Sequence, residues 1–160
     1  ADLMQNKGII YAVDRKGARL DLLRSNCQRL GVRNVVPVLG DIRQRLEWIP
    51  ATKARVGEPF LDRILVDAPC SGLGVLRRHP EAKWRKDEQV LPRHQSLQCQ
   101  ILKAVAPCLR PGGVLAVWSA GPDDRFRRRM GEVGFAVEEV AVRARSNGKG
   151  PRHVIWFGKV

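Results

Sequence analysis

The segment Asp67-Ala68-Pro69-Cys70-Ser71-Gly72 sets a carboxylate, a rigid proline, a thiol and a glycine turn directly after the apolar run Ile64-Leu65-Val66. A buried strand ending in such a set delivers its polar groups to one edge of a sheet. There the carboxylate can accept from an exocyclic amine or amide, and the Cys-Ser-Gly turn can hold a planar ring edge-on. These residue types suit the handling of a flat base. The local reading of Asp67 is an aspartate that closes a turn on its own backbone. Asp14 and Asp41 also end apolar runs, Gly8 to Val13 and Val35 to Leu39 followed by Gly40. Each could instead cap a following helix, from Lys16 and from Ile42.

The elements that must position these residues alternate. Ala1 to Gln5 reads as a last helical turn stopped by Asn6-Lys7-Gly8. Gly8 to Val13 has the apolar character of a buried parallel strand. Leu20, Leu23, Cys27 and Leu30 mark one face of a helix ending at Gly31, and Val35 to Leu39 is a second strand. Leu61 to Val66 is a third. The basic, poorly periodic stretch from Leu73 to Val90 reads as a loop or broken helix over the carboxyl edge of the sheet. A helix opened by Pro92 carries Leu97, Ile101, Leu102, Val105 and Leu109 inward and stops at Pro111-Gly112-Gly113. Val114 to Trp118 is the fourth strand, Asp123 to Val133 a helix, and Phe135 to Val142 with His153 to Lys159 an antiparallel pair. This order predicts one α/β domain over residues 1–160, a doubly wound Rossmann-like sandwich with a C-terminal antiparallel hairpin.

The 160 residues carry 29 Lys and Arg against 16 Asp and Glu, a formal net charge of +13. Such an excess favours a polyanionic partner, since each phosphate neutralised releases counterions; a solvated basic surface is the plain alternative. RNA is the expected partner, through Arg77, Arg78 and Lys83 beside the Asp67 segment. No apolar run approaches the roughly 18 residues of a membrane span, and no targeting segment is visible, so the chain reads as soluble and cytoplasmic, without a membrane partner. The four cysteines, Cys27, Cys70, Cys99 and Cys108, have no CxxC spacing or nearby histidine set, so no metal is expected. Cys27, Cys99 and Cys108 fall in helical patterns and read as core fillers.

The Asp67-Ala68-Pro69-Cys70 run, with Lys83-Trp84 after it, resembles motif IV of the Sun-type RNA (cytosine-C5) methyltransferases, over about residues 1–113. The resemblance implies a class I methyltransferase fold and S-adenosylmethionine as cofactor. It implies that Asp14 accepts from the cofactor ribose and Asp41 from the adenine amine, with Asp67 and Pro69 also at the cofactor. It assigns catalysis to Asp67, which contacts the target cytosine, and to Cys70.

The chain departs from that family in three ways. Where the family writes a Thr-Cys pair, supplying the nucleophile, this chain has Ser119-Ala120-Gly121-Pro122. The family's first strand and Gly-rich loop have no counterpart before Ala1, which leaves three arrangements: direct pairing of the flanking strands, a strand-swapped homodimer, or a fragment needing its other half. After Gly113, the run Leu115 to Ala120, Gly134-Phe135 and His153 to Trp156 is more similar to spermidine synthase-like proteins, which suggests a junction near 112–113 and a recombined chain. The expected function is therefore an impaired or inactive RNA methyltransferase-like domain. A non-catalytic fold module with nonspecific RNA affinity is the second reading, and a spermidine synthase-like transferase the third.

Overall fold

The structure is a computed structural model that describes residues 1–44, 61–67, 90–119, 121–143 and 152–160. The chain divides into two compact units, Ala1–Gly57 and Glu58–Val160, each described by itself. Its elements form the Rossmann-like α/β methyltransferase fold, with the C-terminal strands as an antiparallel hairpin.

In the first unit a 3-10 turn, Asp2–Met4, leads through Gln5 and Asn6, at φ of 50° and 56°, into strand β1 (Ile10–Asp14). Asparagine tolerates this left-handed conformation because its short polar side chain bonds locally. Here Asn6 accepts from the Arg33 N–H at 3.0 Å and donates to the Gly31 carbonyl at 3.2 Å. The buried Asn34 donates to the Lys7 carbonyl at 3.1 Å. The turn before β1 is thereby tied to the turn before β2 (Val35–Leu39), and the two strands pair in parallel from Ile10–Val35 to Asp14–Leu39.

Helix α1 (Gly17–Arg29) crosses between them. Leu20 is buried and Leu23 and Cys27 are half-buried, as the helical spacing predicts. Leu30 is not part of that face: it is 63% exposed, because the helix has ended at Arg29 and Gly31, at φ 66°, turns the chain away.

The second unit is a four-stranded sheet ordered β3-β4-β6-β5, built from β3 (Leu61–Val66), β4 (Leu109–Ser119), β5 (Ala136–Arg143) and β6 (Arg152–Lys159). β3 and β4 are parallel, and β6 runs antiparallel to both β4 and β5. Helices α2 (Val90–Val105) and α3 (Asp124–Glu132) supply Leu102, Val105, Phe126 and Met130 to a core shared with Leu115, Val117 and Trp156. Phe126 and Trp156 meet at 4.8 Å between ring centroids.

Two expectations change here. The run Ile64-Leu65-Val66 is not buried throughout: Ile64 and Val66 are half-buried but Leu65 is 77% exposed. The register explains it, since Ile64 and Val66 align with the buried Leu115 and Val117, while Leu65 aligns with Ala116 and points to the opposite face. The second change lies after α2, which ends at Val105 because Pro107 converts the next residues into a 3-10 turn, Ala106–Cys108. Leu109 therefore starts β4, and Pro111-Gly112-Gly113 sits inside that strand as an irregularity: Leu61 pairs with Leu109 and Arg63 already with Val114. Gly112 has φ 76°, and a Cβ on Gly113 would lie 2.8 Å from the Arg110 carbonyl oxygen.

Among the described residues, β1 pairs with β2 and β3 with β4. No helix among the described residues is long and apolar enough to cross a membrane.

Candidate functional site

Asp14 and Asp41 come together at the carboxyl edge of the β1–β2 pair. The ladder continues one rung beyond β2, with the Gly40 N–H donating to the Asp14 carbonyl at 3.1 Å, and so sets Asp41 beside Asp14. The Asp14 carboxylate accepts from the Lys16 N–H at 2.8 Å and from the Arg19 guanidinium at 3.3 Å. The first of these closes an Asx turn; helix α1 starts with no side-chain cap at Lys16, so Asp14 is not a helix cap. The Lys16 N–H and then Arg19 hold the Asp14 pKa below its ordinary value, with desolvation opposing them.

Asp41 is more heavily engaged. Its Oδ1 accepts from the Arg43 N–H at 3.0 Å and Nε at 2.9 Å, and its Oδ2 from the Arg43 NH2 group, with Arg15 Nε 3.5 Å away. The Arg43 guanidinium, with its backbone N–H, brings the Asp41 pKa down to about 2. A depressed carboxyl contributes stability that is complete above its unfolded value and lost as pH falls through the folded one. Asp41 should therefore support the first unit fully above about pH 5 and lose that support towards pH 2. Carboxyl-carbon NMR titration should show Asp41 with a midpoint near 2 and Asp14 below 3.8; an Asp41 midpoint at 3.8 or above would remove the ion pairs from the account.

An ionised carboxylate offers about four acceptor positions. Asp14 spends two of them, on Lys16 and Arg19, and has two unspent. Asp41 has its positions taken by Arg43 and Arg15. The residues thus fit a ribose at Asp14 better than an amine at Asp41. Arg15, Arg19 and Arg43 were absent from the residues nominated by sequence. Their signal was adjacency, since each lies within five residues of an aspartate it binds or follows the other strand's end.

Asp67 lies in the second unit, exposed, one residue past the end of β3. The last β3–β4 pair is Val66–Val117, which sets Asp67 next to Trp118. Trp118 is 43% exposed and rests on His153 at 4.7 Å between rings. Ser119 follows, its hydroxyl donating to the Gly121 carbonyl at 2.9 Å. Cys70, Pro69, Arg77, Arg78 and Lys83 lie outside the described residues. Among the described residues, no group of three or more His, Cys, Asp or Glu could hold a metal ion.

A parallel βαβ unit with an acidic strand end, and a sheet closed by an antiparallel hairpin, are elements of the Rossmann-like methyltransferase fold. The profile of the family described as 16S rRNA methyltransferase RsmB/F matches residues 1–121, and the chain belongs to that family. The match extends past Gly113, beyond the residues that the motif resemblance covers. The chain is 42% identical over 115 residues to a probable ribosomal RNA small subunit methyltransferase B of Synechocystis sp., covering 72% of this chain and 24% of the relative. It is 43% identical over 124 residues to ribosomal RNA small subunit methyltransferase B of Enterobacter sp., covering 76% and 27%. The chain thus spans about a quarter of the length of these curated relatives. The crystal structure of NSun6 from Pyrococcus horikoshii superposes with a TM-score of 0.73 at 26% identity, covering 99% of this chain and 42% of that one.

Proposed function

We propose that this chain is the cofactor- and base-handling part of an S-adenosylmethionine-dependent RNA (cytosine-5) methyltransferase, acting on ribosomal RNA, whose own methyl transfer is impaired. The observation that carries the cofactor reading is the Asp14 carboxylate, ionised at the carboxyl edge of β1 with two acceptor positions unspent. Asp14 orients the ribose, and Asp41, with Arg15 and Arg43, holds the loop after β2. When bound, S-adenosylmethionine supplies an electrophilic methyl group.

The chain's own task is to make carbon 5 of cytosine nucleophilic. A thiolate adding to carbon 6 does this, while a carboxylate at Asp67 holds the exocyclic amine and the guanidinium and ammonium groups of Arg77, Arg78 and Lys83 hold neighbouring phosphates. Residues 119–122 contain no thiol, and neither a serine hydroxyl nor a glycine replaces one at neutral pH. Cys70 remains as the thiol of the Asp67 segment.

RNA containing 5-fluorocytosine tests this, since fluorine at carbon 5 blocks the loss that would release the adduct. With S-adenosylmethionine present, we expect no covalent complex on a denaturing gel, and no methyl transfer above background. A trapped complex that disappears in Cys70→Ala would show a working nucleophile and overturn the impairment.

The second reading, a fold module without catalysis, is favoured by the same missing thiol. Equilibrium dialysis separates the two: retention of labelled S-adenosylmethionine favours the first, and no retention at millimolar cofactor the second.

A further inference from the structure

Helix α3 carries four arginines in five positions, Arg125 and Arg127 to Arg129, and they divide by role. Arg129 turns inward: its side chain is 11% exposed, lies 3.7 Å from Asp123, donates to Gln98 at 3.4 Å and sits over the Phe126 ring at 5.6 Å. Arg129 therefore fixes the helix to the core. Arg125, Arg127 and Arg128 are exposed and make no ion pair among the described residues. Arg127 and Arg128 line a groove of about 430 Å³ with Asp124, Gly131, Phe135 and Val137.

The groove's apolar floor, Phe135 and Val137, offers a phosphate nothing, and Asp124 repels one; the two guanidiniums outweigh that single carboxylate. A guanidinium fork matches phosphate oxygens in geometry as well as charge. Gly131 adds no side chain, and no atom lies within 4 Å of where its Cβ would stand. A small anion would gain little on so open a surface, whereas a chain of phosphates gains at every contact by counterion release.

We propose that the outer face of α3, through Arg127 and Arg128 with Arg125 beside them, is a binding surface for the sugar–phosphate backbone of RNA, separate from the Asp67 segment. It extends the reading that RNA is the partner, yet does not depend on the cofactor.

The test is fluorescence anisotropy of the full chain with labelled single-stranded RNA, from about 50 to about 200 mM salt. Two lost phosphate contacts on a single strand should reduce the slope of log affinity against log salt by about 1.4 in Arg127→Gln/Arg128→Gln, and weaken binding roughly tenfold or more at the lowest salt. Arg127→Lys/Arg128→Lys should keep most of the slope, because the charges remain. Thermal melts of both variants should match the parent, since these side chains bury nothing. An unchanged slope in the glutamine pair would overturn the proposal, as would an equal loss in the lysine pair. A chain that retains no S-adenosylmethionine but shows the predicted slope change would sink the cofactor reading and support this surface.

Discussion

Replacing Trp156 by alanine should cost about 3–5 kcal/mol and lower the melting temperature by roughly 10–20 °C. Trp156 is 2% exposed, in the middle of β6, paired by register to Val117 and Glu139. Its ring packs on Phe126 of α3, and its indole N–H donates to Glu139 at 3.0 Å. One side chain thus joins the helix to two neighbouring strands. Truncation leaves a cavity beneath Phe126, and the neighbouring Gly158 has no side chain to fill it; a Cβ there would already lie 2.9 Å from Phe135 and 3.0 Å from Met130. Trp156→Phe should cost less, because the ring contact survives and the released Glu139 is exposed to water. Thermal melts followed by circular dichroism check this; an alanine variant within a few degrees of the parent would show that the second unit does not depend on this core.

The second large effect is expected at Asp14. Asp14→Ala should weaken S-adenosylmethionine binding about tenfold to a hundredfold, the value of charge-assisted hydrogen bonds of roughly 1.5–3 kcal/mol. Asp41→Asn should change it by less than about fivefold, since one neutral hydrogen bond is worth only about 1 kcal/mol and Asp41's acceptors are spent on Arg43 and Arg15. Asp14→Asn separates charge from shape: the Asx turn with Lys16 survives while Arg19 loses its carboxylate. Dialysis or calorimetry on the three variants gives the ranking. Equal losses at Asp14 and Asp41 would mean that the Asp41 ion pairs open to admit the cofactor.

Much of this arrangement was legible from the residues. β2 and β3 span the residues their strand patterns predict, and each ends where the pattern is broken, at Gly40 and at Asp67. The Asp14 and Asp41 positions followed from strand ends alone. What was not legible depends on tertiary neighbours. Leu65 looks buried in a three-residue apolar run, yet its exposure is decided by which face of β3 the core adopts. Pro111-Gly112-Gly113 looks like a terminator but is absorbed as an irregularity within β4, since the stop had already come at Pro107. The pairing of Asp41 with Arg15 depends on the last β1–β2 rung, which no local pattern announces. Arg129 and its neighbours are alike in sequence and opposite in role, because only one of them faces Phe126.

In the proposed function, Asp14 holds the ribose of S-adenosylmethionine at the carboxyl edge of β1. Amide chemical-shift perturbation on the full chain tests it most directly, because the Lys16 and Gly40 N–H groups bond to Asp14 itself. Titration with S-adenosylmethionine should move the Lys16, Gly40 and Asp41 amides first and most, with those shifts abolished in Asp14→Ala. No perturbation at millimolar cofactor, or perturbation that leaves Lys16 and Gly40 in place, would contradict it.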